Sequence, residues 1–130
     1  MKVSEIIEII ENVASPEIAE EWDNVGLLLG DKNKDVSKIL VALDINSEII
    51  RQAVENKVEL IVTHHPLIIK PIGRVTDRNL LVLLENKIAV YSAHTNLDYA
   101  PNGINDSLAA AIGLKDIVKS ESDEKLLDIL

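Results

Sequence analysis

Two histidines stand side by side in IVTHHPLII, residues 61–69, and the third and last histidine of the chain, His94, closes the run IAVYSAH at 88–94. An imidazole is expensive to hide in an apolar core, because each ring nitrogen needs a hydrogen-bond partner. Asp98 follows His94 by four residues, in a segment rich in Thr, Asn, Pro and Gly, and Asp44 ends the apolar run KILVALD. Neutral imidazoles and carboxylates are ligands for Zn, Mn, Fe, Co or Ni, and a small protein donor set leaves coordination positions open for water or substrate. The same residues also suit a plainer arrangement, in which His-His-Pro is a turn donating to carbonyls and His94 with Asp98 staples a loop. Which of the two holds depends on whether the fold brings them together.

The elements that must do so are legible as patterns. Val3, Ile6, Ile7, Ile10 and Val13 recur at helical spacing, and Ser15 with Pro16 reads as the cap and first position of a second short helix. Lys38 to Asp44 predicts a buried strand, after which Asn46 or Ser47 caps a helix striped by Ile49, Ile50, Ala53 and Val54. Leu60 to Thr63 predicts a strand, Asp77 to Asn86 a helix, Ile88 to Ala93 a strand, and Ile104 to Ile112 a helix stopped by Gly113. Alternation of this kind implies right-handed βαβ crossovers, hence an α/β fold with a mainly parallel sheet flanked by helices.

One internal echo sharpens that expectation. ENKVELIVTHH at 55–65 and ENKIAVYSAHT at 85–95 share Glu-Asn-Lys at a helix end and then a strand finishing in histidine. Thirty residues separate His64 from His94, the length of one βα repeat. Both should therefore sit at the carboxyl ends of parallel strands, the edge at which open α/β sheets bind ligands. Pro66 pushes His65 toward an extended backbone, which lets two adjacent rings bend toward one site or toward two neighbouring metals.

Composition narrows the function classes. At 130 residues, with 47% hydrophobic side chains but no Phe, one Trp and two Tyr, the chain predicts one aliphatic core. A formal net charge of −9 and the scarcity of aromatic platforms argue against nucleic acid as a direct partner. Without cysteine there is neither a disulfide framework nor a thiolate metal site. The N-terminus carries glutamates within its apolar periodicity, unlike a signal peptide, and no run reaches transmembrane length, so a cytoplasmic protein without membrane contact is expected. The α/β domain is expected over 1–119, and SESDEKLLDIL at 120–130 reads as an acidic tail or the start of a severed linker.

Other residues carry weaker signals. Lys70, Arg74 and Arg78 could meet an anionic substrate, although a solvated basic loop edge explains them as well. In EWDNVGLLLG, Gly26 and Gly30 suit tight turns around a short strand, Trp22 reads as a packing residue, and Asp23 with Asn24 reads more readily as an Asx turn than as a pocket lining.

EWDNVGLLLG, the Asp44 strand end, THHPL and SAHTNLDYAPNGIND, taken together and in order over about residues 1 to 115, resemble the NGG-interacting-factor-three-like proteins, often labelled GTP cyclohydrolase I type 2 homologues. The resemblance implies a dinuclear metal site, with His64 and His65 matching the paired histidine ligands, Asp98 matching the aspartate ligand, and His94 matching the histidine of a third motif near the metals. It also implies a two-lobed fold, of which this chain is one half, and assembly into a toroidal homohexamer. Family members complete the site with a histidine and, four residues on, a glutamate, near the end of a chain about twice this length; no histidine follows His94 here. The expectation is thus a fragment, a shortened homologue or a half-protein that borrows ligands, with Glu121, Asp123 and Glu124 as further oxygen donors within the tail.

Two functions of different class follow. One is a metal-dependent hydrolase acting on a nucleotide-like small molecule, GTP ring opening included, in which His64, His65 and Asp98 hold the metal and His94 shuttles a proton as the catalytic group. The other is a non-catalytic metal-binding or assembly module.

Overall fold

The computed structural model describes residues 1–117. Its elements run α1 (Val3–Val13), a 3-10 turn (Pro16–Ile18), β1 (Gly26–Leu29), β2 (Ile39–Ala42), α2 (Ser47–Glu55), β3 (Leu60–Thr63), α3 (Arg78–Glu85), β4 (Ala89–Ser92), α4 (Thr95–Tyr99) and α5 (Ile104–Ala111). The four strands form one sheet in the order β1-β4-β3-β2. Period-2 alternation splits the core. Leu60, Ala89 and Tyr91 face Val3 and Ile6 of α1, while Ile61 and Val90 face Ile50 and Ala53 of α2 and Leu83 of α3. Among the described residues no helix is long and apolar enough to cross a membrane.

Local chemistry explains the helix ends. The Asn46 side chain accepts from the amides of Glu48 and Ile49 at 3.0 Å, and Asp77 accepts from the Leu80 amide at 3.1 Å, each satisfying first-turn donors that have no partner within the helix. The Glu-Asn-Lys echo proves to be a repeated helix stop. Lys57 and Lys87 both take the left-handed conformation, at φ 56° and 53°. The next residue then turns its amide back to the helix, Val58 to the Ala53 carbonyl at 2.8 Å and Ile88 to the Leu83 carbonyl at 2.9 Å. Asn56 and Asn86 each donate from the side-chain amide to a carbonyl four residues back, at 2.8 Å.

Two expectations are corrected. The sheet is mixed rather than mainly parallel: β2, β3 and β4 pair in parallel, but β1 runs antiparallel to β4. Parallel pairing is enforced only where a helix carries the chain back across the sheet, as α2 and α3 do. Since β1 precedes those units and leaves by a loop over 30–38, it is free to take the opposite direction. The strand predicted as buried, β2, lies at the sheet edge, with Val41 79% exposed. A β-branched apolar run signals a strand but not how many neighbours it has. The expected tail at 120–130 lies outside the described residues.

Candidate metal centre

Parallel pairing delivers the histidines to one edge. Thr63 pairs with Ser92 at the ends of β3 and β4, and their buried hydroxyls lie 2.8 Å apart. The backbone ladder continues beyond the strands, with the His64 amide donating to the Ala42 carbonyl at 3.3 Å, the His65 amide to Leu43 at 3.0 Å and the Ala93 amide to Thr63 at 2.9 Å. His64, His65 and His94 therefore leave the same rim. Their ring centroids lie 5.1 Å (His64 to His65), 5.1 Å (His64 to His94) and 5.6 Å (His65 to His94) apart. One ligating atom from each of the three falls within 4.8 Å of the others.

Each ring is held by Nδ1. That of His64 lies 3.0 Å from the Ala93 carbonyl, that of His65 lies 2.6 Å from Asp44 Oδ1, and that of His94 lies 3.0 and 3.1 Å from the two oxygens of Asp23. Carbonyl and carboxylate oxygens only accept, so Nδ1 carries the proton in each neutral ring and Nε2 keeps its lone pair. Metal-ligating histidines are characteristically oriented by such outer hydrogen bonds. The fourth sequence-derived site residue is close by: Asp98 Oδ1 lies 3.5 Å from His64 Nε2. Three imidazoles and a carboxylate, with the imidazoles presenting Nε2, are a nitrogen and oxygen donor set that fits a first-row divalent cation.

Asp98 reaches the rim on an element the sequence did not reveal. Its segment is the short helix α4 rather than a loop, begun at once by His94, whose carbonyl accepts from the Asp98 amide at 3.1 Å. Buried Asn96 ties this turn down, accepting from the His94 amide at 2.9 Å and donating to the Ala14 carbonyl at 2.8 Å. Gly103 closes the far side so tightly that a Cβ there would stand 2.0 Å from the Leu97 carbonyl oxygen.

Asp23 overturns the Asx-turn reading. Its side chain is 0% exposed, against 57% for Asp44. Burial pushes its carboxyl upward. Hydrogen bonds from the Thr95 hydroxyl, the His94 ring and the amides of Thr95 and Asn24 outweigh that effect and hold the group below the ordinary carboxylate value. The neighbouring Asn24 donates from its side chain to the Ile68 carbonyl at 2.6 Å, pinning the loop that follows the histidine pair. Trp22, expected to pack, is 58% exposed and sets its ring edge-on to His94 with centroids 6.1 Å apart. Only the clustering of Trp22, Asp23 and Asn24 just ahead of Gly26 hinted at this in the sequence. Lys70, Arg74 and Arg78 are all exposed.

The family profile described as Duf34/NIF3 (NGG1p interacting factor 3) matches residues 1–128. The chain belongs to the Duf34/NIF3 family. A GTP cyclohydrolase 1 type 2 homolog of Clostridium perfringens is 45% identical over 128 residues, covering 94% of this chain and 49% of the relative. One from Methanocaldococcus jannaschii is 44% identical over 119 residues, covering 88% of this chain and 49% of the relative. Among solved structures, reduced HcgD from M. jannaschii superposes with a TM-score of 0.84 at 44% identity, covering 89% of this chain and 48% of that one. A Bacillus cereus protein related to NIF3 superposes with a TM-score of 0.84 at 38% identity, over 89% of this chain and 33% of that one. The chain thus spans about half the length, or less, of the Duf34/NIF3 relatives it matches.

Proposed function

We propose that this chain carries the larger part of a dinuclear metal site and that the protein is a cytoplasmic, metal-dependent hydrolase acting on a nucleotide-like small molecule. The observation that carries the reading is the convergence of His64, His65 and His94, each oriented through Nδ1, on one end of the sheet. His64, His65 and Asp98 would hold the metal. A bound divalent ion supplies Lewis acidity and brings the pKa of water at the site toward neutrality. His94, with its proton on Nδ1 and a lone pair on Nε2, accepts a proton there and returns it to the leaving group. The fixed rings limit the reorganisation that this transfer requires.

The relatives' shared name, GTP cyclohydrolase 1 type 2 homolog, supplies the substrate to try first. Protein loaded with zinc or manganese is incubated with GTP, and formate release is followed. Release that disappears in His94→Ala supports the hydrolase. Stable metal binding without turnover across a panel of nucleotides supports the second reading instead, a metal-binding or assembly module. Assembly into a homohexamer belongs to the proposal and is measured by light scattering. Two histidines and one aspartate are few donors for two ions, so this stretch alone should retain about one equivalent of metal rather than two.

A further inference from the structure

Three oxygen acceptors orient the three rings, and they are not equivalent. The Ala93 carbonyl belongs to β4's own exit and would be present whatever the side chains. Asp44 is a half-exposed carboxylate with one hydrogen bond to His65. Asp23 is buried and accepts from four donors: the Asn24 amide at 2.8 Å, the Thr95 amide at 3.1 Å, the Thr95 hydroxyl at 2.5 Å and His94 Nδ1. Thr95 is itself held, because its hydroxyl accepts from the Glu20 amide at 2.9 Å and so must donate toward Asp23. Burying a carboxylate is costly unless its lone pairs are satisfied, and here they are satisfied from both sides of the chain. An Asx turn needs only the backbone amide two residues on, and nothing about a turn requires Asp23 to reach a ring 71 residues away.

We propose that Asp23 is a positioning residue of this site, fixing His94 in one orientation and in the tautomer with Nδ1 protonated, so that Nε2 is kept as an acceptor in a ring that stands 5.1 Å from that of His64 and 5.6 Å from that of His65. Trp22 stands edge-on to the same ring, with centroids 6.1 Å apart. Asn24, through the Ile68 carbonyl, couples the lead-in to β1 to the loop leaving the histidine pair. The segment before β1 therefore acts on both histidine-bearing strand ends, although it contributes no ligand. Importance to catalysis rests on the hydrolase reading above; the tautomer does not, and it is measured without metal.

The test is the tautomeric state of the histidines in metal-free, 15N-labelled protein, read from long-range proton–nitrogen correlations of the rings. Wild type should show His94 with Nδ1 protonated and Nε2 unprotonated. In Asp23→Asn, the two Thr95 donors hold the amide oxygen at the Oδ2 position, and the NH2 takes the Oδ1 position beside Nδ1 and the Asn24 amide, so the fraction of His94 protonated at Nδ1 should fall while His65 is unchanged. Thr95→Val, which removes a hydroxyl but not the carboxylate, should leave the wild-type tautomer predominant. Zinc retention should stay near that of wild type in Asp23→Asn, because Asp23 holds the proton carrier His94 and not a ligand. A wild-type His94 protonated at Nε2, or a folded Asp23→Asn whose His94 tautomer is that of wild type, overturns the proposal. The wild-type spectrum alone decides if the variant does not fold. Failure of zinc binding with the expected tautomers would count against the metal reading and leave this one standing.

Discussion

The two βα repeats that carry the histidines are alike where they start and unlike where they end. Both begin with Glu-Asn-Lys, a lysine in the left-handed conformation and the same backward hydrogen bonds, all made within a few residues. At the far end, the first repeat presents two histidines, with an exposed carboxylate from the neighbouring strand exit on His65. The second presents one histidine, with a buried carboxylate from the segment before β1, and continues at once into α4. Repetition is thus a property of local backbone chemistry. Divergence enters through contacts between residues distant in sequence, and that is where the site is made.

The sharpest way to break the second end alone is Gly103→Ala. Its Cβ would collide with a backbone carbonyl, so α4 must shift, at a cost of about 3–4 kcal/mol. Thermal or denaturant unfolding should show that loss, while His65 keeps its hydrogen bond to Asp44 in the ring spectra.

Next in size, the two carboxylates can be compared directly by truncation. Asp23→Ala strands buried donors and should cost about 2–3 kcal/mol near neutral pH, whereas Asp44→Ala, at an exposed pair, should cost at most about 1 kcal/mol. The pH dependence carries a definite sign. Folding lowers the Asp23 pKa from its reference of 3.8, so its contribution is fully present above that value. It is lost as pH falls through the lower folded-state value, and urea titrations from pH 6 down to acid should show the gap between wild type and Asp23→Asn closing there.

The smallest effect tests the common start. Lys57→Gly and Lys87→Gly relieve a left-handed side chain and should each stabilise by up to about 1 kcal/mol, by similar amounts. Unequal responses would mean that the two helix stops are less alike than their hydrogen bonds.

This contrast also explains what could be read from the sequence. Strand β3 was legible to the residue, and α2, α3 and α5 to within a residue or two at each end, because apolar period and capping residues are local signals. Resemblance and the Glu-Asn-Lys echo both placed His64, His65, His94 and Asp98 at one sheet edge, where they are found. The direction of β1 was not legible, since no helix links it to the parallel unit, and neither was the edge position of β2. Helix α4 is only five residues long and lacks a side-chain cap, so Thr-Asn-Leu-Asp-Tyr resembled a loop. Asp23 was misread because an aspartate followed by Asn-Val-Gly has a sufficient local explanation. Its decisive partner, His94, is brought to it only by the antiparallel pairing of β1 with β4.

The central claim is that these oriented imidazoles hold a divalent metal. It is tested most directly by saturating the protein with zinc, dialysing against a mild chelator and measuring zinc per chain by elemental analysis, for wild type and for His64→Ala/His65→Ala. Wild type should retain about one equivalent, and a double variant that stays folded should lose affinity beyond the roughly 100-fold of an outer-sphere change. A wild type that retains no zinc, or a double variant that retains as much as wild type, would contradict it.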